Sequence, residues 1–308
     1  YGQKKWRRKM KKYGGYIIAA LWFLLGAIAL SAFLSVMKGN INPFKTREAE
    51  WGLGNTMTEH YSPASVKSID VSLVTERLII EGSERDDIQV TISTKLSGGA
   101  EPKVSIRDGV LHIEQQKSFN FSFGFSNGYV EILIPYSMMR ESPLEIDASS
   151  VSGSVSLKNV TASRTDISST SGSVRAENSV SKTISAQSVS GSVKVESSEC
   201  TDAHISSTSG SVLFSGKADE LSLTSTSGSV KAYLDAMLKQ DSRFKSMSGS
   251  VRLTLPDNDG FTMKYSSMSG SVSNRFTGLR AEKSGTNTYK NGGITLTLES
   301  MSGSVSID

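Results

Sequence analysis

The sequence predicts an all-β fold, a parallel β-helix-like β-solenoid of about 19–21 residues per coil, preceded by one transmembrane helix. Three observations support this prediction: an uncharged run over residues 16–36, apolar–polar alternation from Val66 onward, and eight copies of one hexapeptide. The predicted segments are a basic cytoplasmic tail (1–15), a transmembrane helix (16–37), a juxtamembrane linker (38–65) and an extracytoplasmic β-solenoid (66–308).

The uncharged run is long enough to anchor the chain in a membrane. As a helix, its 21 residues cross about 30 Å of hydrocarbon. A cleaved signal peptide is the alternative, with Ala27 and Ala29, or Ala29 and Ser31, at the cleavage site. Signal peptides have apolar cores of about 7–15 residues, so the length of this run favours an anchor.

The net charge of +4 belongs to the N-terminal tail rather than to the body of the chain. Residues 1–15 carry seven basic residues and no acidic one, which leaves 27 basic against 30 acidic residues elsewhere. Because basic segments stay on the cytoplasmic side, the tail is predicted to be cytoplasmic and the region after residue 37 extracytoplasmic. A body without a basic excess argues against a nucleic-acid partner.

The remaining chain changes pattern at Val66. Residues 38–65 have no sustained period and contain Gly, Asn and Pro, which is typical of a linker. Segments such as VKSIDVSLV and YVEILIP then alternate apolar and polar residues, as half-buried strands do. The nearest approach to a helical pattern is residues 233–239, which predict one helical turn or a wide loop.

The hexapeptide Ser-[Val/Thr/Met]-Ser-Gly-Ser-Val carries the solenoid prediction. The glycines are spaced by 18 to 21 residues, with a last spacing of 33. A propeller blade needs about 40 residues and a leucine-rich repeat needs its leucine ladder, so stacked coils about 4.8 Å apart remain. The predicted corner glycines are Gly153, Gly172, Gly191, Gly210, Gly228, Gly249, Gly270 and Gly303.

Each position of the hexapeptide has a predicted role at a corner between strands. The glycine is expected to adopt positive φ, and the serines to bond backbone groups or one another along the stack. The valine after each corner, and an apolar residue five positions before the glycine, are expected to point inward. Residues 275–293 predict an inserted loop. The last copy ends the chain, which predicts an exposed edge and self-association through the C-terminal coil.

The lead-in strands VLHIE and YVEILIP, followed by the eight Ser-Gly-Ser-Val corners, resemble the bacterial putative-adhesin β-strand-repeat family. The resemblance covers residues 66–308 and the order of membrane span before solenoid. It implies an extracytoplasmic β-solenoid of unknown function, with suggested roles in adhesion or envelope-stress signalling. It supplies no catalytic residue.

Candidates for catalysis are few. His60 lies in the predicted linker, while His112 and His204 alternate with inward residues and are predicted to face solvent. Asp147 and Asp166 occupy equivalent places in neighbouring coils, as the paired carboxylates of a glycan-active enzyme would. The simpler interpretation is that both aspartates are solvent-exposed surface residues without a catalytic role. The sequence predicts no catalytic residue, no metal site and no cofactor, and one cysteine excludes an internal disulfide.

Two surface features are candidates for partner contact. The first is a predicted basic column, formed by the residues three positions after the corner glycines: Arg175, Lys194, Lys231 and Arg252. Leu213 interrupts this column, and Glu177 and Glu196 are expected to neutralise part of its charge. It suits anionic envelope polymers or lipid head groups, unless it is only a solvated face. One side of a strand at 118–128 carries Phe119, Phe121, Phe123 and Phe125, which either pack on the solenoid or contact a partner.

Together these features predict a non-enzymatic surface β-solenoid, anchored through residues 16–37, that acts as an adhesion, interaction or structural module at the bacterial cell envelope. Its predicted partners are the membrane and either envelope polymers or another envelope protein. The alternatives are an accessory sensor of an envelope-stress response and a glycan-active β-helix enzyme.

Overall fold

The structure, a computed structural model, describes residues 55–94, 101–116, 128–281 and 283–308. These residues belong to one compact unit of 23 strands, one α-helix and one 3-10 turn (Pro63–Ser65). The predicted cytoplasmic tail and transmembrane helix lie outside the described residues. Within the described ranges, neither helical segment has the length and apolar character to cross a bilayer.

The strands follow one another along the chain with short connections. The first nine are β1 (Asn55–Tyr61), β2 (Ser68–Leu73), β3 (Arg77–Ser83), β4 (Ile88–Thr94), β5 (Lys103–Arg107), β6 (Val110–Glu114), β7 (Tyr129–Pro135), β8 (Leu144–Ser150) and β9 (Val155–Lys158). The next eight are β10 (Thr161–Ser169), β11 (Val174–Glu177), β12 (Val180–Ser188), β13 (Val193–Ser207), β14 (Val212–Ser225), β15 (Val230–Leu234), β16 (Ser242–Ser246) and β17 (Val251–Thr254). The last six are β18 (Gly260–Ser267), β19 (Val272–Asn274), β20 (Leu279–Ala281), β21 (Ser284–Lys290), β22 (Thr295–Ser300) and β23 (Val305–Ile307).

The strands form two ladders that meet at the hexapeptide corners. The first ladder has the order β5-β6-β2-β8-β10-β12-β13-β14-β16-β22-β18-β21. The second has the order β1-β4-β7-β3-β9-β11-β13-β14-β15-β17-β23-β19-β20. Interior pairings are parallel and the outermost ones antiparallel. The all-β, solenoid-like prediction is therefore confirmed for the described residues.

The interior of the stack is a set of aligned apolar files. The hexapeptide valines are all at most 1% exposed, and they pair with one another in register along the second ladder. Five residues before the glycine, Ile167, Leu223 and Phe244 are fully buried, as predicted, whereas Tyr265 is only partly buried. Since each inward residue rests on its equivalent in the next coil, burial repeats with the sequence.

The C-terminal coil does not lie at the end of the stack. Strand β22 has β16 on one side and β18 on the other, and β23 lies between β17 and β19 in the same way. The final coil therefore inserts between two coils that precede it in sequence. The exposed edge predicted for the C-terminal coil is wrong, because both of its strands have neighbours on either side.

Antiparallel strands cover both ends of the stack. At the C-terminal end, the predicted loop over 275–293 instead contains β20 and β21, which pair with β19 and β18. Beside them, the rings of Phe261, Phe276 and Tyr289 pack with centroids 5.1–5.6 Å apart. At the other end, β5 pairs with β6, and β4 and β1 extend the ladder beyond β7. These strands shield the parallel edges that would otherwise be exposed.

Three local predictions need correction. Strand β1 lies inside the predicted linker; its sequence NTMTEHY lacks apolar alternation because most of this edge strand is solvent-exposed. The α-helix, α1 (Tyr136–Glu141), was not predicted: its six residues are too few for a period, yet they bury Met138 and Met139. Residues 233–239 finish β15 and continue as bends rather than as a helical turn.

Candidate functional site

The eight hexapeptide corners stack into one continuous file, held by the first serine of each copy. Its Oγ accepts a hydrogen bond from the glycine N–H of the same copy at 2.8–2.9 Å. In seven copies it also donates to a corner glycine carbonyl in the adjacent coil at 2.8–3.1 Å. The eighth, Ser150, donates to the carbonyl of Glu76 at 3.4 Å. Each serine thus satisfies two backbone groups that a corner would leave unpaired, and losing such a pair costs about 1–3 kcal/mol.

The corner glycines are required for close approach, not for backbone twist. A Cβ atom built on them would lie 1.8–2.3 Å from a carbonyl oxygen of the adjacent coil, which no side chain tolerates. None of the eight has positive φ, so that part of the prediction is wrong. Positive φ occurs six residues later instead, at Asn159, Asn178, Ser197 and Gly216, where the chain turns into the next coil.

A groove runs along one side of this file. Its volume is about 580 Å³, and it extends from Gln115 in an end coil to Thr226. Serine and threonine hydroxyls line most of it, together with Val151 and Val189, which are 38% and 50% exposed. The groove therefore presents hydroxyls and small apolar groups that repeat with the coil spacing of about 4.8 Å.

A column of acids lies on the first ladder, six residues before the corners. Asp147 pairs in register with Asp166 on one side, as the sequence predicts, and with Asp70 on the other. His112 extends the column, with its Nδ1 atom 3.1 Å from Asp70. Burial raises the pKa of Asp147 above its ordinary value, and the negative charges of Asp166 and Asp70 raise it further.

This pKa shift predicts how stability depends on pH. Because folded Asp147 holds its proton more tightly than the unfolded chain, its contribution is fully favourable below a pH of about 4 and is lost as pH rises through the folded pKa. Asp147→Asn is expected to raise the free energy of unfolding at pH 7, by less than about 1 kcal/mol since solvent screens an exposed carboxylate. At pH 3 the substitution should have no effect.

Urea unfolding of the full chain in detergent, at pH 3 and at pH 7, measures this difference. Glu131→Gln is the matched control, since Glu131 pairs in register with Ile79 and Thr91 rather than with another acid. A loss of stability at pH 7 in Asp147→Asn would show that the charge is favourable where it lies.

The basic column also forms in register. Arg175 pairs with Lys194, Lys194 with Leu213, Leu213 with Lys231, and Lys231 with Arg252 along the second ladder. Arg175 lies 3.3 Å from Glu177 and 3.0 Å from Glu196, and Arg252 lies 3.6 Å from Asp308. Within the described residues, Lys194 and Lys231 make no ion pair. The partial neutralisation expected from the sequence thus falls on Arg175, and the role of the column in binding stays a prediction.

The family model that matches this chain covers residues 66–308 and is described as Toastrack DUF4097. The chain belongs to this Toastrack family. The matched range coincides with the predicted solenoid and excludes β1. Among curated proteins, none is significantly similar to the chain.

Three solved structures are similar to the Toastrack chain at low sequence identity. A putative adhesin from Bacteroides fragilis is 17% identical, with a TM-score of 0.50 over 82% of this chain and 97% of its own. A putative lipid binding protein from Parabacteroides distasonis is 15% identical, with a TM-score of 0.45 over 83% and 97% of the two chains. A putative cell adhesion protein from Clostridium sporogenes is 16% identical, with a TM-score of 0.32 over 82% and 98%.

The histidine and cysteine side chains of the described residues lie apart from one another. His60, expected in a linker, lies on β1 with its Nδ1 atom 2.6 Å from Asp87, and His204 is exposed on the first ladder. Burial raises the pKa of the Cys200 thiol to about 12, which keeps it protonated and unreactive. Among the residues that the structure describes, no cluster of His, Cys, Asp and Glu has a geometry suited to a metal ion.

The phenylalanine segment lies outside the described residues, together with Phe119, Phe121, Phe123 and Phe125. Its flanks are placed at the corner of an end coil. There the side-chain oxygen of Gln115 accepts hydrogen bonds from the N–H groups of Val74 and Thr75, and Arg77 donates to the carbonyl of Gly128. These described flanks thus lie where a hexapeptide corner lies in other coils.

The sequence analysis did not place Asp70 in the acid column, although the sequence contains a pattern that indicates it. The stretch SIDVSL at 68–73 repeats the pattern of EIDASS at 145–150, which leads into the first hexapeptide. The coil was overlooked because its corner, LVTER, has no Ser-Gly-Ser-Val.

Proposed function

We propose that the chain is a non-enzymatic, membrane-anchored surface module that binds an extended envelope polymer, or another envelope protein, along its corner face. Residues 16–37 anchor it, and the Toastrack domain lies outside the cytoplasm. The 21-residue uncharged run and the basic residues before it support this topology. The name of the Bacteroides fragilis structure agrees with an adhesive role, although its likeness extends to the fold alone.

The observation that carries the proposal is the groove beside the corner file. Its backbone is fixed by two serine hydrogen bonds per coil, so its hydroxyls are held in place before a ligand arrives. A rigid row of donors and acceptors at a constant spacing suits a ligand that is itself extended and repetitive. The basic column lies just past the same corner, three residues after the glycines, and would favour an anionic polymer.

Site-specific photo-crosslinking in native membranes tests the proposal. A photoreactive residue at Thr208, which lines the groove, is expected to capture a polymer or an envelope protein. The same residue at Lys182, which is exposed but lies away from the groove, is the control. Equal capture at both positions, or none at Thr208, would contradict binding along the corner face.

A glycan-active enzyme is the second candidate, because one observation favours it. The raised pKa of Asp147 beside Asp166 is the combination of a general acid with a nearby carboxylate that glycosidases use. The cavity at these acids is small, about 240 Å³, and holds no histidine. If the chain cleaves an envelope glycan and the Asp147→Asn, Asp166→Asn double variant does not, this candidate replaces the first.

A further inference from the structure

The variable position of the hexapeptide, two residues before the glycine, points into solvent. Five copies are valine or threonine: Val151, Thr170, Val189, Thr208 and Thr226. The other three copies are methionine, and these side chains are 42% exposed at Met247, 72% at Met268 and 44% at Met301. Three exposed methionines at one repeated position require an explanation, since each leaves a large apolar group in water.

The inserted C-terminal coil brings these three methionines together. Ser302 donates its N–H to the Met247 carbonyl, and Ser269 donates its N–H to the Met301 carbonyl, both at 3.1 Å. Met301 therefore lies directly between Met247 and Met268, at one coil spacing of about 4.8 Å from each. The three thioethers leave the same face of three adjacent coils.

Thioether sulfur is a soft ligand that selects soft cations, Cu(I) above all. Methionine has three rotatable bonds, so side chains one coil apart have the freedom to bring their sulfur atoms around one ion. The carboxylate nearest to Met301 along the chain, that of Glu299, is 2.8 Å from Arg243 and 3.6 Å from Lys245. Because two cations already pair with this carboxylate, the thioether sulfurs are the soft donors to which we assign the ion.

We propose that Met247, Met301 and Met268 form a three-thioether binding site for a soft monovalent cation, Cu(I) or Ag(I). The site adjoins the groove, which ends at Thr226 in the coil beside Met247, and it does not depend on the proposed adhesive function. Thioethers carry no proton in the physiological range, so affinity changes little with pH, unlike that of a thiolate or imidazole site.

Titration of the full chain with Ag(I), a redox-inert probe, tests the site through the ¹³C-methyl resonances of its ten methionines. Three resonances are expected to shift together and to saturate at one Ag(I) per chain. Met301→Leu, which keeps the apolar volume and removes the central sulfur, should weaken binding at least tenfold. Met57→Leu is the matched control, since Met57 is also 44% exposed but lies on β1.

Equal effects of Met301→Leu and Met57→Leu, or a Met57 resonance that shifts at the same Ag(I) concentration, would overturn the site. Met268→Leu is the second variant, because its side chain is the most exposed of the three and its replacement leaves the packing intact. Full Ag(I) affinity in Met268→Leu would also contradict a three-sulfur site. Competition with a chromophoric Cu(I) chelator, under anaerobic conditions, should give the same order of affinities.

Discussion

Replacing Gly210 by alanine is expected to lower the free energy of unfolding by about 3 kcal/mol or more. The new Cβ would lie 2.1 Å from the Gly191 carbonyl oxygen, and that atom belongs to the backbone of a coil fixed on both sides. Neither coil can move without breaking the serine hydrogen bonds of its neighbours, so no small shift of the backbone relieves the clash.

Urea unfolding of the full chain in detergent measures this loss. Gly278→Ala is the control: no atom lies within 4 Å of its Cβ position, and only the cost of positive φ, about 1 kcal/mol, is expected. If Gly210→Ala were as stable as the parent chain, the coils would have to be farther apart at the corner than the structure places them.

Deleting residues 295–308 is expected to unfold much more of the chain than it removes. Strands β22 and β23 are the layer on which β18 and β19 rest, and their loss also uncovers β16 and β17. The antiparallel strands β20 and β21, beside which Phe261, Phe276 and Tyr289 pack, would lose their support. Hydrogen exchange should show loss of amide protection from β16 through β21.

The matched control deletes residues 173–191, one complete repeat and a longer stretch of chain. Because Ser192 then follows Gly172, the hexapeptide pattern and the coil register are preserved. This variant should keep amide protection in β16 through β21, as expected where coils contact only their neighbours. Retained protection of β18 and β19 after deletion of 295–308 would contradict the inserted position of the last coil.

The repeated residues predicted most of the fold because they experience a repeated environment. The inward valines, the buried serines and the register of Asp147 with Asp166 all follow from the spacing of one motif. The reason for the glycines did not: spacing alone does not distinguish a twist at the corner from a close approach to the coil beside it. Only the position of the Gly191 carbonyl over Gly210 decides between them.

The order of the last coils could not be predicted, because their corners are interchangeable. The coils of Gly270 and Gly303 present the same hexapeptide, so either one fits beside the coil of Gly249. The coil of Gly270 is the one that pairs with the antiparallel strands β20 and β21, and these strands lack a clear alternation in sequence. The stacking of Met247, Met301 and Met268 depends on this order, so it could not be predicted from the sequence either.

Methyl–methyl nuclear Overhauser effects between the hexapeptide valines test the stacked-corner account most directly. In the full chain with labelled valine methyls, consecutive valines should show contacts in the order Val155, Val174, Val193, Val212, Val230, Val251, Val305, Val272. Val305 should contact both Val251 and Val272, which should not contact each other. A direct contact between Val251 and Val272, or valines without sequential contacts, would contradict the account.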